Sequence, residues 1–383
     1  MQDFEFSTGR TLSVSRGGAV RLADKVAAME CRSVLIVTDA GLLRSGILQP
    51  TLNGFDKAGI PAALFCDVQA DPPETVIHAT AAAARSANAD CVIGFGGGSS
   101  MDVAKLAALL ASSGESLSEV YGIGLAKGPR LRLILVPTTA GTGSEVTPIS
   151  IVTTGKGEKK GVVSPVLLPD LALLDAELTL GLPPHVTAAT GIDAMVHAIE
   201  AYTSKRLKNP ISDCLAKDAL RLLSRSLHKA CEDGKDLQAR EDMLLGACLA
   251  GIAFANAPVA AVHALAYPIG AQFHVPHGLS NALVLPAVAR FNLPAAQKQY
   301  ADLVEIVRPG VQGSEAQKAE AFVDYVGALA ASVGLPVTLR DVGIRSEHVG
   351  ALASDAMKQT RLLVNNPREL TERDAAAIYS EVL

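Results

Sequence analysis

Through the first half of the chain, short apolar runs rich in β-branched residues alternate with alanine-rich stretches. "SVLIVTD" (Ser33–Asp39) and "AALFCDV" (Ala62–Val68) read as buried strands, and "TVIHATAAAARSAN" after them as a helix. "CVIGFGGG" (Cys91–Gly98) predicts a strand running into a glycine turn, from which "MDVAKLAALLAS" resumes helix. "LRLILVPTTAGTGSE" (Leu131–Glu145) repeats the strand-then-turn pattern. Strands alternating with helices predict a parallel sheet covered on both faces. After "LPDLALLDAELTLGLPP" the strand signal fades, and from Pro183 onward long helical patterns are broken only by Gly and Pro. The expected architecture is an α/β N-terminal domain with a parallel sheet (1–182) followed by an all-α C-terminal domain (183–383). A crevice between two such halves is a common place for a ligand.

One stretch tests this reading. Leu244–Phe273 has no charged residue apart from a histidine and is long enough for a membrane span. Asn256, Pro258, His263 and Pro268 interrupt it, and its glycines and alanines suit close helix packing, so a buried helical core is expected. The start, "MQDFEFSTGR", has no basic head followed by an apolar run, so no secretory signal is expected.

Composition narrows the partners. The formal charge is −5, no Lys/Arg stripe is present and tryptophan is absent, which disfavours nucleic acid and anionic membrane. Six cysteines at wide intervals, with no CxxC, read as buried reduced thiols and point to the cytoplasm.

Two loops offer binding chemistry. In "GFGGGSSMDVAK" (Gly94–Lys105), four glycines and two serines lie between a strand end and a helix start, a geometry suited to phosphate. It matches neither G-x-G-x-x-G, because Ser99 takes the last glycine position, nor a P-loop. In "PTTAGTGSEVT" (Pro137–Thr147), threonine hydroxyls line the carboxyl edge of the sheet, while Thr142 and Glu145 fit a capping box that starts a helix. Asp39, at a strand end, suits the hydroxyls of an adenosine ribose and would repel a 2′-phosphate; as a helix cap it has a plainer use.

The helical half holds a second constellation. Asp193 and His197 stand at i and i+4 in the apolar "DAMVHAIE", His263 lies in "AAVHALAYP", and "FHVPHG" supplies His274 and His277. Three imidazoles and a carboxylate make a closed set for one divalent ion of the zinc or iron(II) kind, and burying them without one would be costly. Spacing leaves the choice between His274 and His277 open. His78, His185, His228 and His348 lie in polar surroundings and read as surface residues.

Together with "ATGIDAMVHAIEAYTS", "HALAYPIGAQFHVPHGLSNALVLP" and "NNPRE", these motifs resemble the iron-containing (metal-dependent) alcohol dehydrogenase family, from about Thr11 to the C-terminus. The resemblance implies a dehydroquinate synthase-like architecture, with a dinucleotide-binding domain ahead of a metal-binding one. It implies Asp193, His197, His263 and His277 as ligands of Fe²⁺ or Zn²⁺, leaving His274 outside. It implies NAD(H), with NADP(H) disfavoured by Asp39, against Asp39, Asp71, Gly97, Gly98, Ser99, Asp102, Thr138, Thr139, Thr142 and Lys160. The reaction implied is reversible hydride transfer between NAD(H) and a small alcohol or aldehyde, in a homodimer or larger homo-oligomer. The alternative is a metal-free reductase of the maleylacetate reductase type. One position departs from the family pattern. Several members carry a proton-relaying histidine one helical turn after the third ligand, and here that position is Tyr267, whose ordinary pKa of ~10 makes it a poorer relay. Ile149, where some members carry a polar residue, points to a more apolar pocket.

Overall fold

In a computed structural model, residues 3–155 and 158–383 are described. The chain divides into two compact units. One comprises Ser7–Thr139 and Gly143–Leu180; the other comprises the first residues to Phe6, Ala140–Thr142 and Gly181–Leu383. The switch after Leu180 lies two residues from the boundary expected at Leu182, and the tip of the threonine loop belongs to the helical unit.

The first unit is built on a six-stranded, all-parallel sheet. In chain order its strands are β1 (Leu12–Val14), β2 (Val34–Val37), β3 (Ala62–Phe65), β4 (Cys91–Gly96), β6 (Arg132–Pro137) and β9 (Leu171–Leu174). They lie side by side as β1-β9-β6-β4-β2-β3. Residues Val34, Ile36, Cys91, Ile93, Phe95, Ile134 and Val136 fill one face. Leu35, Val37, Val92, Leu133 and Leu135 fill the other. Both faces of the inner strands are therefore buried, which explains their uninterrupted apolar runs. Helices α1 (Glu74–Ser86) and α2 (Gly98–Leu110) supply residues to the second of these cores. A smaller sheet, β5 (Gly122–Ile123), β8 (Lys159–Val163) and β7 (Ile149–Thr153), pairs β7 with β8 antiparallel, an element the sequence pattern does not predict.

Among the described residues no strand lies beyond Leu174. The second unit is built mainly from helices α3 (Pro184–Thr203), α4 (Pro210–Glu232), α5 (Leu237–Asn256), α6 (Ala261–Phe273), α7 (His277–Val307) and α8 (Glu315–Ser332). Glycines let them approach closely. A Cβ on Gly191 would lie 2.5 Å from Leu227 Cδ1, and one on Gly278 would lie 2.3 Å from the Ala189 carbonyl oxygen. The apolar Leu244–Phe273 stretch is not one helix: α5 and α6 meet at 107° across a break containing Pro258. Among the described residues no single helix is long and apolar enough to cross a membrane. Of the six free cysteines only Cys31, Cys91 and Cys248 are buried. Cys66 and Cys231 are half-buried and Cys214 is exposed on α4, so the expectation of six buried thiols fails for these three.

Candidate metal centre and nucleotide loop

Helix α3 buries Asp193, His197 and Glu200 at i, i+4 and i+7, one face of the helix. His263 sits in the first turn of α6, His277 opens α7, and Asn281 follows His277 by one turn. Packing of α3 against α6 and α7 brings these groups together. Donor atoms of Asp193, His263 and His277 all lie within 4.8 Å of one another. Asp193 Oδ1 is 3.8 Å from His263 Nε2 and 3.6 Å from His277 Nε2. His197 reaches the group through His263, Nε2 to Nε2 at 3.0 Å, and its ring stacks on Phe254 at 4.3 Å. His274 is exposed and adopts the left-handed conformation at the C-cap of α6, which takes it out of the set and leaves His277. Tyr267, half-buried, holds its ring 5.8 Å from that of His277.

The chemistry of this set suits a cation. Glu200 Oε2 lies 2.6 Å from His263 Nδ1, and the same carboxylate accepts the backbone N–H groups of Ala260 and Val262. A carboxylate so placed accepts from Nδ1, so in the neutral ring Nε2 of His263 presents a lone pair, directly opposite another imidazole nitrogen. Asn281 Nδ2 stands among the acceptors, 2.6 Å from Asp193 Oδ1 and 3.3 Å from both His263 Nε2 and His277 Nε2. Its Oδ1 is buried without a hydrogen-bond partner. Convergent lone pairs with an unsatisfied buried oxygen fit a bound divalent ion. The sequence pattern shows neither Glu200 nor Asn281 as a site residue, although their i+7 and i+4 spacing from Asp193 and His277 was the available signal.

In the α/β unit, α2 begins at Gly98 with no side-chain cap, leaving the backbone N–H groups of its first turn available to an anion. Gly97, Gly98 and Ser99 are half-buried there. Gly96 has φ +155°, and a Cβ on it would lie 2.6 Å from Ser100 Oγ. Thr139 Oγ1 would be 3.6 Å from a Cβ on Gly97, while Thr138 is buried and donates its N–H to the Gly96 carbonyl. Asp39 caps the helix Ala40–Ser45, accepting from the Leu42 N–H at 3.0 Å through Oδ1. The carboxylate of Asp102 is taken up inside the protein, by the Ser144 hydroxyl at 2.6 Å and the Ile151 N–H at 2.9 Å. Beside it the fully buried Lys105 donates to Ser144 Oγ and the Ile149 carbonyl. Asp71 pairs with Lys159, at 2.7 Å, whereas Lys160 is exposed and lies over the Tyr121 ring. Neighbouring residues of a strand face opposite ways, so only one of the two lysines can meet Asp71. Thr142 and Glu145 do not form the expected capping box. The loop makes only a three-residue 3₁₀ turn, Ser144–Val146, capped by Gly143 at φ +60° without a side-chain bond.

Comparison with known proteins decides the family. Residues 10–176 match the model of the iron-containing alcohol dehydrogenases, and residues 187–383 match the model of that family's C-terminal domain. The chain belongs to the iron-containing alcohol dehydrogenase family. It is 42% identical over 370 residues to long-chain-alcohol dehydrogenase 1 of Geobacillus thermodenitrificans (strain NG80-2), covering 96% of this chain and 93% of that one. Among solved structures, a 1,3-propanediol oxidoreductase superposes with a TM-score of 0.96 at 34% identity, over 100% of both chains. The sulfoacetaldehyde reductase of Bifidobacterium kashiwanohense, solved in complex with NAD⁺, gives 0.90 at 30% identity, over 100% of this chain and 99% of that one.

In this iron-containing alcohol dehydrogenase, an oxidoreductase acting on CH–OH groups, burial and neighbouring groups together shift His197 and Asp193 of the candidate metal centre. Burial pushes the His197 imidazole down to about 3, against the attraction of Asp193, and the neighbouring imidazoles add to the effect. A neutral ring is the form that ligates a metal. Burial works to raise the Asp193 carboxyl, but the surrounding imidazoles and the Asn281 amide outweigh it and hold the group below its ordinary value. In the α/β unit burial raises Glu145 to about 7.

Proposed function

We propose that the helical unit is the metal-binding domain and the α/β unit the dinucleotide-binding domain of an NAD(H)-dependent enzyme that interconverts a small alcohol and its aldehyde. The observation that carries this is the convergence of Asp193 Oδ1, His263 Nε2 and His277 Nε2, with His197 Nε2 3.0 Å from His263. Asp193, His197, His263 and His277 would hold Fe²⁺, with Zn²⁺ the alternative for the same donors. When bound, the ion supplies a Lewis acid for the substrate oxygen and NAD(H) carries the hydride. Three of the four ligands are almost fully buried, and only the His277 side chain is open, at 32%. Substrate therefore reaches the centre past His277 and Tyr267, where the Tyr267 hydroxyl serves the proton leaving the alcohol. Gly97, Gly98 and Ser99 take the pyrophosphate at the start of α2, with Thr138, Thr139 and Thr142 beside the dinucleotide. Asp39 takes the adenosine ribose through the oxygen its cap leaves over. Asp71, Asp102 and Lys160 complete the cofactor set of the family pattern, and Asp102 acts from its internal bonds by fixing the Ser144–Ile151 segment.

The same reading makes the enzyme a cytoplasmic homo-oligomer. Exposed Leu12 and Val14 on the edge strand β1 support self-association, and six free cysteines support a reducing compartment. The test of the activity is NADH oxidation with a panel of short aldehydes, under anaerobic conditions, before chelation, after it, and after refilling with Fe²⁺ or Zn²⁺. Activity lost on chelation and restored by one ion is the expected result. Activity indifferent to chelation would replace this reading with the metal-free reductase.

A further inference from the structure

We propose that Glu200 is a positioning residue for the metal centre: it fixes the tautomer of His263 and so aims the Nε2 lone pair at the ion. The inference rests on the metal-centre reading above. Glu200 is 3% exposed and its carboxylate has three partners. Oε1 accepts the Val262 N–H at 2.7 Å; Oε2 accepts the Ala260 N–H at 3.0 Å and lies 2.6 Å from His263 Nδ1. An ionised Glu200 presents only acceptors to the ring, so in a neutral His263, the form that ligates a metal, the proton is on Nδ1. His263 Nε2 is then unprotonated, with His197 Nε2 at 3.0 Å and the Asn281 amide at 3.3 Å.

A carboxylate behind a metal-binding imidazole orients the ring and raises its basicity, and its loss typically costs about 10–100-fold in metal affinity. Here the carboxylate does two jobs at once. Its backbone partners are the N-cap residue and the second residue of α6, just after the break that contains Pro258, so the carboxylate holds the first turn of α6, whose N-cap Ala260 is non-helical (φ −137°, ψ −129°). Glu200 thereby holds the position of His263 through the backbone and its proton through the ring. In Glu200→Gln one oxygen becomes an amide donor. At the Oε2 position it meets the Nδ1 proton and the Ala260 N–H, and the ring answers by carrying its proton on Nε2, facing the ligand set. At the Oε1 position it meets the Val262 N–H, and the turn must shift.

The test titrates Zn²⁺ or Co²⁺ against a chromophoric chelator in the full-length protein, with the Co²⁺ absorption bands as a report of ligand geometry. Glu200→Gln is expected to lose about 10–100-fold in affinity and to change the Co²⁺ spectrum. Asn365→Ala is the comparison, because the Asn365 amide holds the residue just before that turn by donating to the Val259 carbonyl at 2.9 Å. Equal losses in the two variants with an unchanged Co²⁺ spectrum would reduce Glu200 to an anchor of the turn, and affinity within twofold of the unaltered protein would overturn the proposal outright. If the unaltered protein binds no metal, the metal-centre reading falls and this inference with it. If Glu200→Gln does not fold, ¹⁵N spectra of the histidines in the unaltered, metal-free protein decide: the Nδ1–H form of His263 supports the assignment and the Nε2–H form contradicts it.

Discussion

Gly278→Ala is a one-carbon change that should open the proposed metal centre. Gly278 follows His277 at the start of α7, where a Cβ would lie 2.3 Å from the Ala189 carbonyl oxygen, 2.7 Å from its carbon and 3.3 Å from Asp193 Cβ. Non-bonded carbons are at ease at ~3.5–4.0 Å, so the shortfall against the Ala189 backbone is about 1 Å. No side-chain rotation relieves it, since the obstructing atoms are main chain; α7 must move away from α3. The overpacking costs about 1–3 kcal/mol, a fall in Tm of roughly 2–12 °C. His277 travels with α7 and Asp193 stays with α3, so their 3.6 Å separation opens by a comparable amount. Ligand distances in a metal site hold to about ±0.2 Å, and metal affinity should therefore drop by more than tenfold. The assay pairs thermal melting, with and without added Zn²⁺, with metal content after dialysis at limiting Zn²⁺. Gly327→Ala is the control: a Cβ there meets nothing within 4 Å on the exposed face of α8, and the change should stabilise by ~0.5–1 kcal/mol. Retention of metal within twofold by Gly278→Ala, with no loss of Tm relative to the unaltered protein, would refute the reasoning.

Three further outcomes are expected. Glu145 is raised by burial to about 7 from an ordinary 4.5, so the folded state favours its proton; stability is unaffected below pH 4.5, is lost as pH rises from 4.5 to 7, and is then lower by about 3 kcal/mol at ~1.4 kcal/mol per pH unit. Glu145→Gln should accordingly raise the Tm at pH 8 and leave it nearly unchanged at pH 4.5, and a pH-independent effect would contradict the burial argument. Asp39→Asn keeps an oxygen for the Leu42 N–H while removing the charge, so Tm should hold and the KM for NADP(H) should fall relative to that for NAD(H); an unchanged cofactor preference would detach Asp39 from the ribose. Tyr267→Phe should lower kcat by about tenfold or more with metal content intact, and an unchanged kcat would remove Tyr267 from the proton route.

What the sequence displays follows from where each contact partner lies along it. The inner strands β2, β4 and β6 are legible because burial on both faces writes a continuous apolar run into consecutive residues. β1 is three residues long with two of them exposed, and β7 and β8 carry mixed polarity, so no local pattern marks them. β9, "LALL", is apolar but leucine-rich and short, and it cannot be told from a piece of helix without its neighbours. In the candidate metal centre, Asp193, His197 and His263 stand out because each is a polar group in apolar surroundings, whereas His277 stays open against His274 until the family resemblance chooses it. Glu200 has the same setting yet stays hidden, since the backbone donors that give it meaning are sixty residues further on. Which of Lys159 and Lys160 meets Asp71 is likewise not written in the sequence, since neighbouring residues of a strand face opposite ways.

Two buried polar clusters in this chain look alike by composition and differ in how they are satisfied. In the α/β unit the ammonium of Lys105 is answered by Ser144, the Ile149 carbonyl and the nearby Asp102 carboxylate, which itself accepts from Ser144 and Ile151. Donors and acceptors alternate there, and the cluster closes on itself as a strut under the threonine loop. In the helical unit the balance is lopsided. Asp193 Oδ1, His263 Nε2 and His277 Nε2 all turn toward one side-chain amide, whose own oxygen has no partner. Buried acceptors facing one another raise the energy of the chain by itself, and burial holds the His197 imidazole beside them neutral. A cation placed among the acceptors relieves it at a stroke. The first cluster is complete as scaffold; the second is not, and that imbalance supports the proposal that it holds an ion.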